Sequence, residues 1–156
     1  MHDITRATRA RCNDLEDGGH QQMKLKYKAK KIFTFDAAHF LPDHLGKCAN
    51  MHGHTYKLEV EISRTDGGTI SGGSSGGMVL DFLEFSKIVK EVVLDKVNHK
   101  VLNEVLSFTA TSENLAGYFY EILQEACQEY NLKLENVALW ESQTSCIEVS
   151  EADFIA

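Results

Sequence analysis

Three histidines and a cysteine in the first half of the chain are the clearest candidates for chemistry. His52 and His54 are two positions apart, with Cys48 and His39 upstream of them. Side chains two positions apart on a strand point to the same face, so the pair is predicted to share one side of a sheet. A third histidine from a neighbouring strand would complete a three-nitrogen site, which on zinc leaves one coordination position open for catalysis. The alternative is that these are ordinary strand histidines without a ligand.

Two predicted strands must bring these histidines together. The first begins near Leu25 and carries apolar residues at alternate positions up to Ala37, and His39 keeps that parity. Lys31 interrupts the alternation, which indicates a β-bulge. In the second strand, the two histidines share a face with four apolar residues, Tyr56, Leu58, Val60 and Ile62. All three imidazoles are therefore expected on one buried sheet face.

Cys48 and His44 lie in the loop between these two strands. A cation close to a thiol favours the thiolate, so Cys48 could act beside a metal as a base or a nucleophile. Without that neighbourhood it is a loop cysteine with no role. His44 is an alternative third ligand, but we favour His39 because a strand orients a ligand more rigidly than a loop does.

Two polar residues in the second half are further candidates. His99 follows Asn98 in the connection between two predicted helices, where a histidine is either a surface group or a general acid or base. Glu141 ends the apolar run Val-Ala-Leu-Trp. Its carboxylate either meets solvent at a sheet edge or accepts hydrogen bonds from a ligand that offers adjacent N–H donors.

Size and charge narrow the classes of function. With 156 residues the chain is expected to form one domain, residues 23–156, after a polar and poorly ordered extension, residues 1–22. Met23 is a candidate natural start, and His2, His20 and Cys12 in the extension are expected to be inert.

The net charge of −7 argues against nucleic-acid binding. No apolar run is long enough for a membrane helix or a signal peptide, so the expected location is the cytoplasm.

The four cysteines are widely spaced, without a Cys-x-x-Cys pair, so a disulfide framework is not expected. Cys127 falls on a predicted helix and Cys146 beside a predicted strand. Both are expected to be buried as small apolar residues.

Residues 66–77 are rich in glycine and serine and lack the ending of a phosphate-binding loop, so they are interpreted as a flexible connector.

The predicted elements follow the order strand, strand, helix, helix, strand, strand. One helix begins near Asp81, a potential cap, and the second is capped by Thr111 or Ser112 after a loop over residues 98–109. The final strands span residues 136–141 and 146–150. This order predicts an α+β fold with a four-stranded antiparallel sheet and two helices on one face. Its two open edges favour oligomerisation.

Several ordered blocks resemble the signature of the 6-pyruvoyltetrahydropterin synthase superfamily. They include Phe-Asp-Ala-Ala-His at residues 35–39 and Cys-Ala-Asn-Met-His-Gly-His-Thr-Tyr at 48–56, followed by residues 78–82, 98–103, 111–116 and 140–142. Within the superfamily, the chain is similar to the bacterial 6-carboxytetrahydropterin synthases of queuosine and 7-deazapurine biosynthesis. The resemblance implies the tunnelling fold, in which sheets of several subunits join into a barrel, commonly as a hexamer with active sites between subunits.

The resemblance also implies a role for each candidate. His39, His52 and His54 would bind zinc, Cys48 would be the general base, and His99 would belong to a second proton-transfer group with Asn98. The substrate, 7,8-dihydroneopterin triphosphate, would be bound by the pterin anchor Glu141 and by Thr111 and Ser112. The implied products are 6-carboxytetrahydropterin, acetaldehyde and triphosphate. Lys47 and Lys100 are candidates for binding the triphosphate.

One residue departs from the family pattern, which usually has aspartate where Asn98 stands. A carboxylate would orient the imidazole of His99 and stabilise its charged form, whereas an amide can only orient it. Glu104 or Asp95 could substitute. Asn98 leaves open a weakly active protein that binds zinc and pterin. Two other products also stay open, a 6-pyruvoyl and a 6-hydroxymethyl pterin. The hydroxymethyl variant usually has glutamate in place of the cysteine. A hydratase resembling carbonic anhydrase has no support beyond the three histidines.

Overall fold

Five strands form one sheet in residues 25–151, the part of the chain described by a computed structural model. The strands are β1 (Lys28–His39), β2 (His52–Arg64), β3 (Lys100–Val101), β4 (Leu132–Trp140) and β5 (Cys146–Ser150). Their order across the sheet is β3-β1-β2-β4-β5. All neighbours are antiparallel except β1 and β3, which are parallel. The predicted extension, with His2, His20 and Cys12, lies outside the described residues.

The predicted α+β class is confirmed, but the prediction of a four-stranded antiparallel sheet is wrong. The segment expected to be a loop between residues 98 and 109 contains β3, which pairs with Ala37 and Ala38 of β1, and a short helix. A two-residue strand is too short to show an alternating pattern of its own. Its pairing arises from the docking of this segment on β1.

The helices pack on one face of the sheet. They are α1 (Phe82–Val89), α2 (Asp95–Val97), α3 (Leu102–Val105) and α4 (Ser112–Glu129), and a π-helical turn, Lys90–Leu94, joins α1 to α2. The side chain of Asp81 accepts a hydrogen bond from the backbone N–H of Leu83 and caps α1, as the sequence predicts. Thr111 caps α4 in the same way through the N–H of Asn114.

The core lies between this helical layer and the sheet face that carries the histidines. Its largest fully buried side chains include Tyr56, Phe35, Phe119, Leu58, Leu115 and Leu139. Phe35 and Tyr56 are opposite each other on β1 and β2, and their rings stack with centroids 4.9 Å apart. Since β1 and β2 each bury alternate residues, the same alternation carries the histidines toward the core at one end of the strands.

The register of β1 on β2 is uninterrupted, so the predicted bulge at Lys31 is wrong. Lys31 keeps the apolar parity, and its ammonium donates a hydrogen bond of 3.0 Å to the carbonyl of Phe82, the first residue of α1. The bulge of this sheet lies instead in β4, where Glu135 has no partner between the pairs Glu61–Asn136 and Ile62–Leu134. Glu135 forms ion pairs with two lysines, Lys26 and Lys28.

The glycine-serine segment forms turns closed by backbone hydrogen bonds between Ile70 and Met78 and between Gly77 and Ile70. Gly72, Gly73 and Gly77 have positive φ angles, which glycine adopts without strain. In residues 25–151 we find no helix with the length and apolar character that crossing a bilayer would require.

Candidate metal centre and the adjoining cavities

His39, His52 and His54 converge at one end of the β1–β2 ladder. His39 lies directly opposite His52, because the register pairs the last residue of β1 with the first of β2. One ligand atom from each ring lies within 4.8 Å of the other two, and no other such group of histidine, cysteine or acidic residues occurs in residues 25–151. His39 is almost fully buried, and the other two rings are half-buried.

The hydrogen bonds of two rings define their tautomers. His39 donates from Nδ1 to the carbonyl of Ala110 at 2.7 Å, and His52 donates from Nδ1 to the carbonyl of Asn50 at 2.7 Å. A carbonyl oxygen only accepts, so both Nδ1 atoms carry hydrogen and both neutral rings present a lone pair on Nε2. These two Nε2 atoms are 3.1 Å apart. Two lone pairs at this distance repel unless a cation lies between them.

The third ring adds a further ring nitrogen without a partner. His54 Nε2 is buried without a hydrogen-bond partner in the described part of the chain. Burial lowers the pKa of His54, as do the neighbouring His39 and His52, and nearby Glu141 only partly offsets this. The ring is therefore favoured in the neutral form that binds metals.

These nitrogens fit a metal ion. Tetrahedral zinc with Zn–N bonds of about 2.0–2.1 Å holds its nitrogen ligands roughly 3.3 Å apart, close to the observed 3.1 Å between His39 and His52. Backbone carbonyls that hold the opposite ring nitrogens are the usual outer partners of metal-binding histidines. The three histidines that the strand alternation predicts as ligands are thus brought together in the geometry of a metal centre.

His44, the alternative third ligand, lies apart from this centre. Its Nδ1 accepts a hydrogen bond of 2.9 Å from the backbone N–H of Gly46 within the same loop. The ring therefore stabilises a local turn. The strand histidine, and not the loop histidine, completes the cluster.

Glu141 lies beside the metal centre, directly after the end of β4. One carboxylate oxygen is 3.6 Å from Nε2 of His39 and 3.6 Å from Nε2 of His54. Its side chain is 30% exposed, so it meets both the histidines and the open space above them. The sequence left open whether this carboxylate faces solvent or a ligand, and the structure places it at the mouth of the candidate site.

A cavity of about 400 Å³ opens beside the centre and contains most of the predicted substrate-binding residues. Cys48, Glu141, Thr111 and Ser112 all line it together with His39. The hydroxyl groups of Thr111 and Ser112 lie at the start of α4, where Thr111 is the helix cap. A thiol, a carboxylate, two hydroxyls and one histidine of the metal centre therefore surround one space, which suits proton transfer on a polar ligand.

Among the residues of this cavity that sequence reasoning did not assign to the site are a carboxylate and a thiol. Glu113 follows Ser112 at the start of α4, and Cys146 begins β5 opposite Trp140. Cys146 was expected to be a buried apolar residue, but it is only half-buried and faces the cavity. No local pattern marks it, because its position depends on the β4–β5 hairpin. Cys127 is buried on α4 as expected, and burial raises its pKa to about 11.

The structure does not bring His99 into the cavity of Cys48. His99 has a positive φ of 57° and lines a second cavity of about 490 Å³ near β3. Lys100 lines this second cavity too, and His54 lies on its wall. The side-chain oxygen of Asn98 accepts a hydrogen bond of 3.1 Å from the backbone N–H of Asp36. Within one chain, the two predicted proton-transfer groups are separate.

Comparisons with known proteins agree with this geometry. Residues 28–152 match the family model described as 6-pyruvoyl tetrahydropterin synthase. A 6-carboxy-5,6,7,8-tetrahydropterin synthase of Haemophilus influenzae is 36% identical over 146 residues, which cover 80% of this chain and 99% of that protein. An enzyme of the same name from Synechocystis sp. is 37% identical over 97 residues, 62% of this chain and 74% of that protein. The 6-pyruvoyl tetrahydropterin synthase of Caenorhabditis elegans is similar in structure, with a TM-score of 0.64 and 26% identity over 80% of this chain and 94% of that chain.

Proposed function

The chain belongs to the 6-pyruvoyl tetrahydropterin synthase family, and on that premise we propose that it is a zinc-dependent 6-carboxytetrahydropterin synthase. The proposed reaction converts 7,8-dihydroneopterin triphosphate and one water molecule into 6-carboxy-5,6,7,8-tetrahydropterin, acetaldehyde and triphosphate. This reaction would make the protein a lyase. We propose that it acts in queuosine and 7-deazapurine biosynthesis and that it is located in the cytoplasm. The observation that carries the proposal is the cluster of three converging histidines, one of which, His39, lines a cavity together with Cys48 and Glu141.

The metal ligands, Cys48 and Glu141 would have different roles in the proposed reaction. Zinc bound by His39, His52 and His54 would supply a Lewis acid that stabilises negative charge developing on side-chain oxygens of the substrate. Cys48 would exchange protons with the carbon side chain of the pterin as a thiolate. Glu141 would accept hydrogen bonds from the adjacent N–H groups of the pterin ring, which fixes the ring in the cavity.

Thr111 and Ser112 would complete the pterin site. Their hydroxyls lie at the start of α4, on the wall that faces the cavity. Each hydroxyl can donate one hydrogen bond and accept others, so the pair suits the mixed donors and acceptors of a pterin edge. The polar edge of a buried ligand needs such partners. A buried polar group without a hydrogen bond loses more free energy than one hydrogen bond contributes to binding.

We also propose that the active site is completed between subunits of a hexamer, in which the sheets join into a barrel. Two observations support this proposal. Cys48 and His99 line different cavities of one chain, so His99 would act in the site of a neighbouring subunit. The sheet also ends on one side at β5, which pairs only with β4 among the described strands and can accept a strand of another subunit.

Product analysis tests the proposed reaction. The purified protein with bound zinc is incubated with 7,8-dihydroneopterin triphosphate, and acetaldehyde, triphosphate and pterin products are quantified together with the metal content. Equimolar acetaldehyde and 6-carboxytetrahydropterin are expected. A 6-pyruvoyl product without acetaldehyde would assign the chain to the branch named for the C. elegans relative, and a 6-hydroxymethyl product would indicate a third branch.

The second candidate function is a protein that binds zinc and pterin with only weak turnover, and it rests on Asn98. In that case the variant Asn98→Asp should turn over the substrate faster than the wild type, because a carboxylate stabilises an imidazolium beside it. Equal rates for the two proteins rule this candidate out. The comparison needs matched zinc content, so that the metal does not account for a difference.

A further inference from the structure

Two asparagine side chains extend the contact between β3 and β1 at its two ends. The side-chain oxygen of Asn98 accepts a hydrogen bond of 3.1 Å from the N–H of Asp36, just before the residues that pair with β3. At the other end, Asn103 accepts from the N–H of Phe40 at 2.9 Å and donates from its amide nitrogen to the carbonyl of Phe40 at 2.9 Å. Asn103 therefore takes the place of a strand residue opposite Phe40.

These two bonds, which we call the Asn103 clamp, act where β1 ends. Phe40 directly follows His39, the last residue of β1, and lies beyond the last pair of the β1–β2 ladder. In residues 25–151, the hydrogen bonds of its N–H and its carbonyl both go to the half-buried Asn103. A strand end without such partners frays, and this strand end carries a candidate metal ligand.

The chain that follows Asn103 also holds the ring of His39. The carbonyl of the buried Ala110 accepts the hydrogen bond of 2.7 Å from Nδ1 of His39. Beyond the clamp, Leu41 donates from its N–H to the carbonyl of Cys48 at 2.8 Å. The clamped backbone therefore lies between the metal ligand and the loop that carries the thiol.

We propose that Asn103 is a positioning residue of the metal centre, which holds His39 in place through the backbone of Phe40. The inference rests on the zinc dependence in the proposed function and adds a residue that does not touch the metal. His39 projects from the end of β1, so a shift of that end would move its Nε2 away from the other two histidines. The bond to Ala110 determines which ring nitrogen is free, whereas the clamp determines where the ring starts.

Metal affinity tests this role without substrate. Asn103→Ala removes both hydrogen bonds, and Asn103→Leu removes them while keeping a side chain of similar size. Competition with a chromophoric chelator should show zinc binding weakened about 10-fold in both variants, the lower end of the range for groups that support a metal ligand. The visible absorption of Co²⁺ bound in place of zinc should change too, because it depends on the geometry of the ligands.

Asn136→Ala is the matched control, because it removes an amide from β4 at a position that pairs with Glu61, far along β2 from His52. Its zinc affinity should equal that of the wild type. If Asn103→Leu restored the affinity that Asn103→Ala loses, packing rather than the two hydrogen bonds would hold His39, and the inference would be wrong.

Hydrogen exchange in the wild type gives a measurement that does not depend on the folding of a variant. If the clamp favours zinc binding about 10-fold, zinc must favour the clamp by the same factor. Zinc should therefore slow exchange of the Phe40 amide about 10-fold more than that of the Tyr27 amide. Tyr27 is a suitable reference because its N–H donates to the carbonyl of Gly67 at 3.1 Å, beside the other end of β1.

The outcomes separate this inference from the proposed reaction. Unchanged zinc affinity in both Asn103 variants, or exchange at Phe40 that zinc does not slow beyond that at Tyr27, overturns the inference. A wild type that binds no zinc overturns the inference and the zinc dependence together. If the variants bind zinc more weakly and the zinc-loaded wild type forms no pterin product, only the proposed reaction is wrong and the role of Asn103 stands.

Discussion

At the scale of single residues, the candidate metal centre is defined by acceptors that face each other. His39 and His52 use their Nδ1 hydrogens on backbone carbonyls, so their Nε2 lone pairs meet at 3.1 Å. The unpartnered Nε2 of His54 and a carboxylate oxygen of Glu141 join them. A cation would stabilise these converging groups, and the arrangement therefore suits a metal ion.

Removal of one ligand should therefore abolish tight metal binding. We expect about one zinc ion per wild-type chain. Loss of a group that only hydrogen-bonds a metal ligand typically weakens metal binding ~10–100-fold, and His52→Ala should weaken zinc binding by more than this. Competition with a chromophoric chelator measures this affinity. His44→Ala is the matched control, since His44 bonds within its own loop. Equal loss in both variants would contradict the assignment of the ligands.

Cys48 allows a test that separates catalysis from metal binding. The thiol lines the cavity but does not belong to the cluster of metal ligands. Cys48→Ala should therefore keep its zinc and lower kcat by about 100-fold or more, as expected for loss of a general base. Steady-state kinetics with metal analysis of the same sample checks both parts. Turnover near the wild-type rate would remove Cys48 from the mechanism.

At the scale of elements, caps and register place these residues. Asp81 begins α1, Thr111 begins α4, and the unbroken β1–β2 ladder sets His39 opposite His52. The sequence predicts the two caps and the shared face of the histidines, because each depends on neighbours along the chain. It fails at Lys31, whose long side chain reaches the carbonyl of Phe82 while its backbone stays in register. It also fails at the bulge of Glu135, which depends on how β4 meets β2.

The cap of α1 can be tested without touching the cavity. Asp81→Ala should lower the free energy of unfolding by about 1 kcal/mol, because the N–H of Leu83 loses its acceptor. Asp81→Asn retains an acceptor and should stay within a few tenths of a kcal/mol of the wild type. Urea denaturation followed by circular dichroism measures both. A loss of equal size in the two variants would mean that charge, and not capping, is responsible.

The polar face of the sheet carries ion pairs that make stability depend on pH. The hydrogen bond from Lys57, with the charges of Lys57 and Lys30, holds the pKa of Glu59 below its usual value of 4.5. A lowered pKa in the folded state means that the stabilisation is present above that usual value and is lost as the pH falls through the folded pKa. Glu59→Gln should thus destabilise the protein near neutral pH but have little effect near about pH 3.

Urea denaturation at the two pH values measures this difference. Glu121→Gln, on the exposed side of α4, is the control that removes a carboxylate without removing these lysine contacts. A Glu59→Gln effect that stays constant with pH would show that packing of the side chain, rather than its charge, stabilises the sheet.

At the scale of the whole molecule, the separation of Cys48 and His99 argues for an assembly. The two residues line different cavities of one chain, while the proposed mechanism needs them together. A symmetric oligomer brings the same two surfaces of different copies into contact at every interface. Light scattering should accordingly give the mass of a hexamer.

Mixed assemblies test whether the site is shared. Cys48→Ala and His99→Ala should each be nearly inactive alone. When the two variants are unfolded, mixed in equal amounts and refolded together, about a quarter of the shared sites regain both wild-type residues. Activity should rise to about that fraction of the wild type. If both residues acted within one chain, the mixture would stay as inactive as its components.

The sequence by itself determined the local features: the shared face of His39, His52 and His54, the caps of the two main helices, and the α+β class. Alternation and capping follow from backbone geometry over a few residues, so they can be read from neighbours in the chain. Only the tertiary structure decided that β3 joins β1, that Glu141 lies beside the histidines, and that Asp36 rather than Asp95 or Glu104 shares a cavity with His99. These contacts join residues far apart in sequence, and their positions depend on how the helices and the hairpin pack on the sheet.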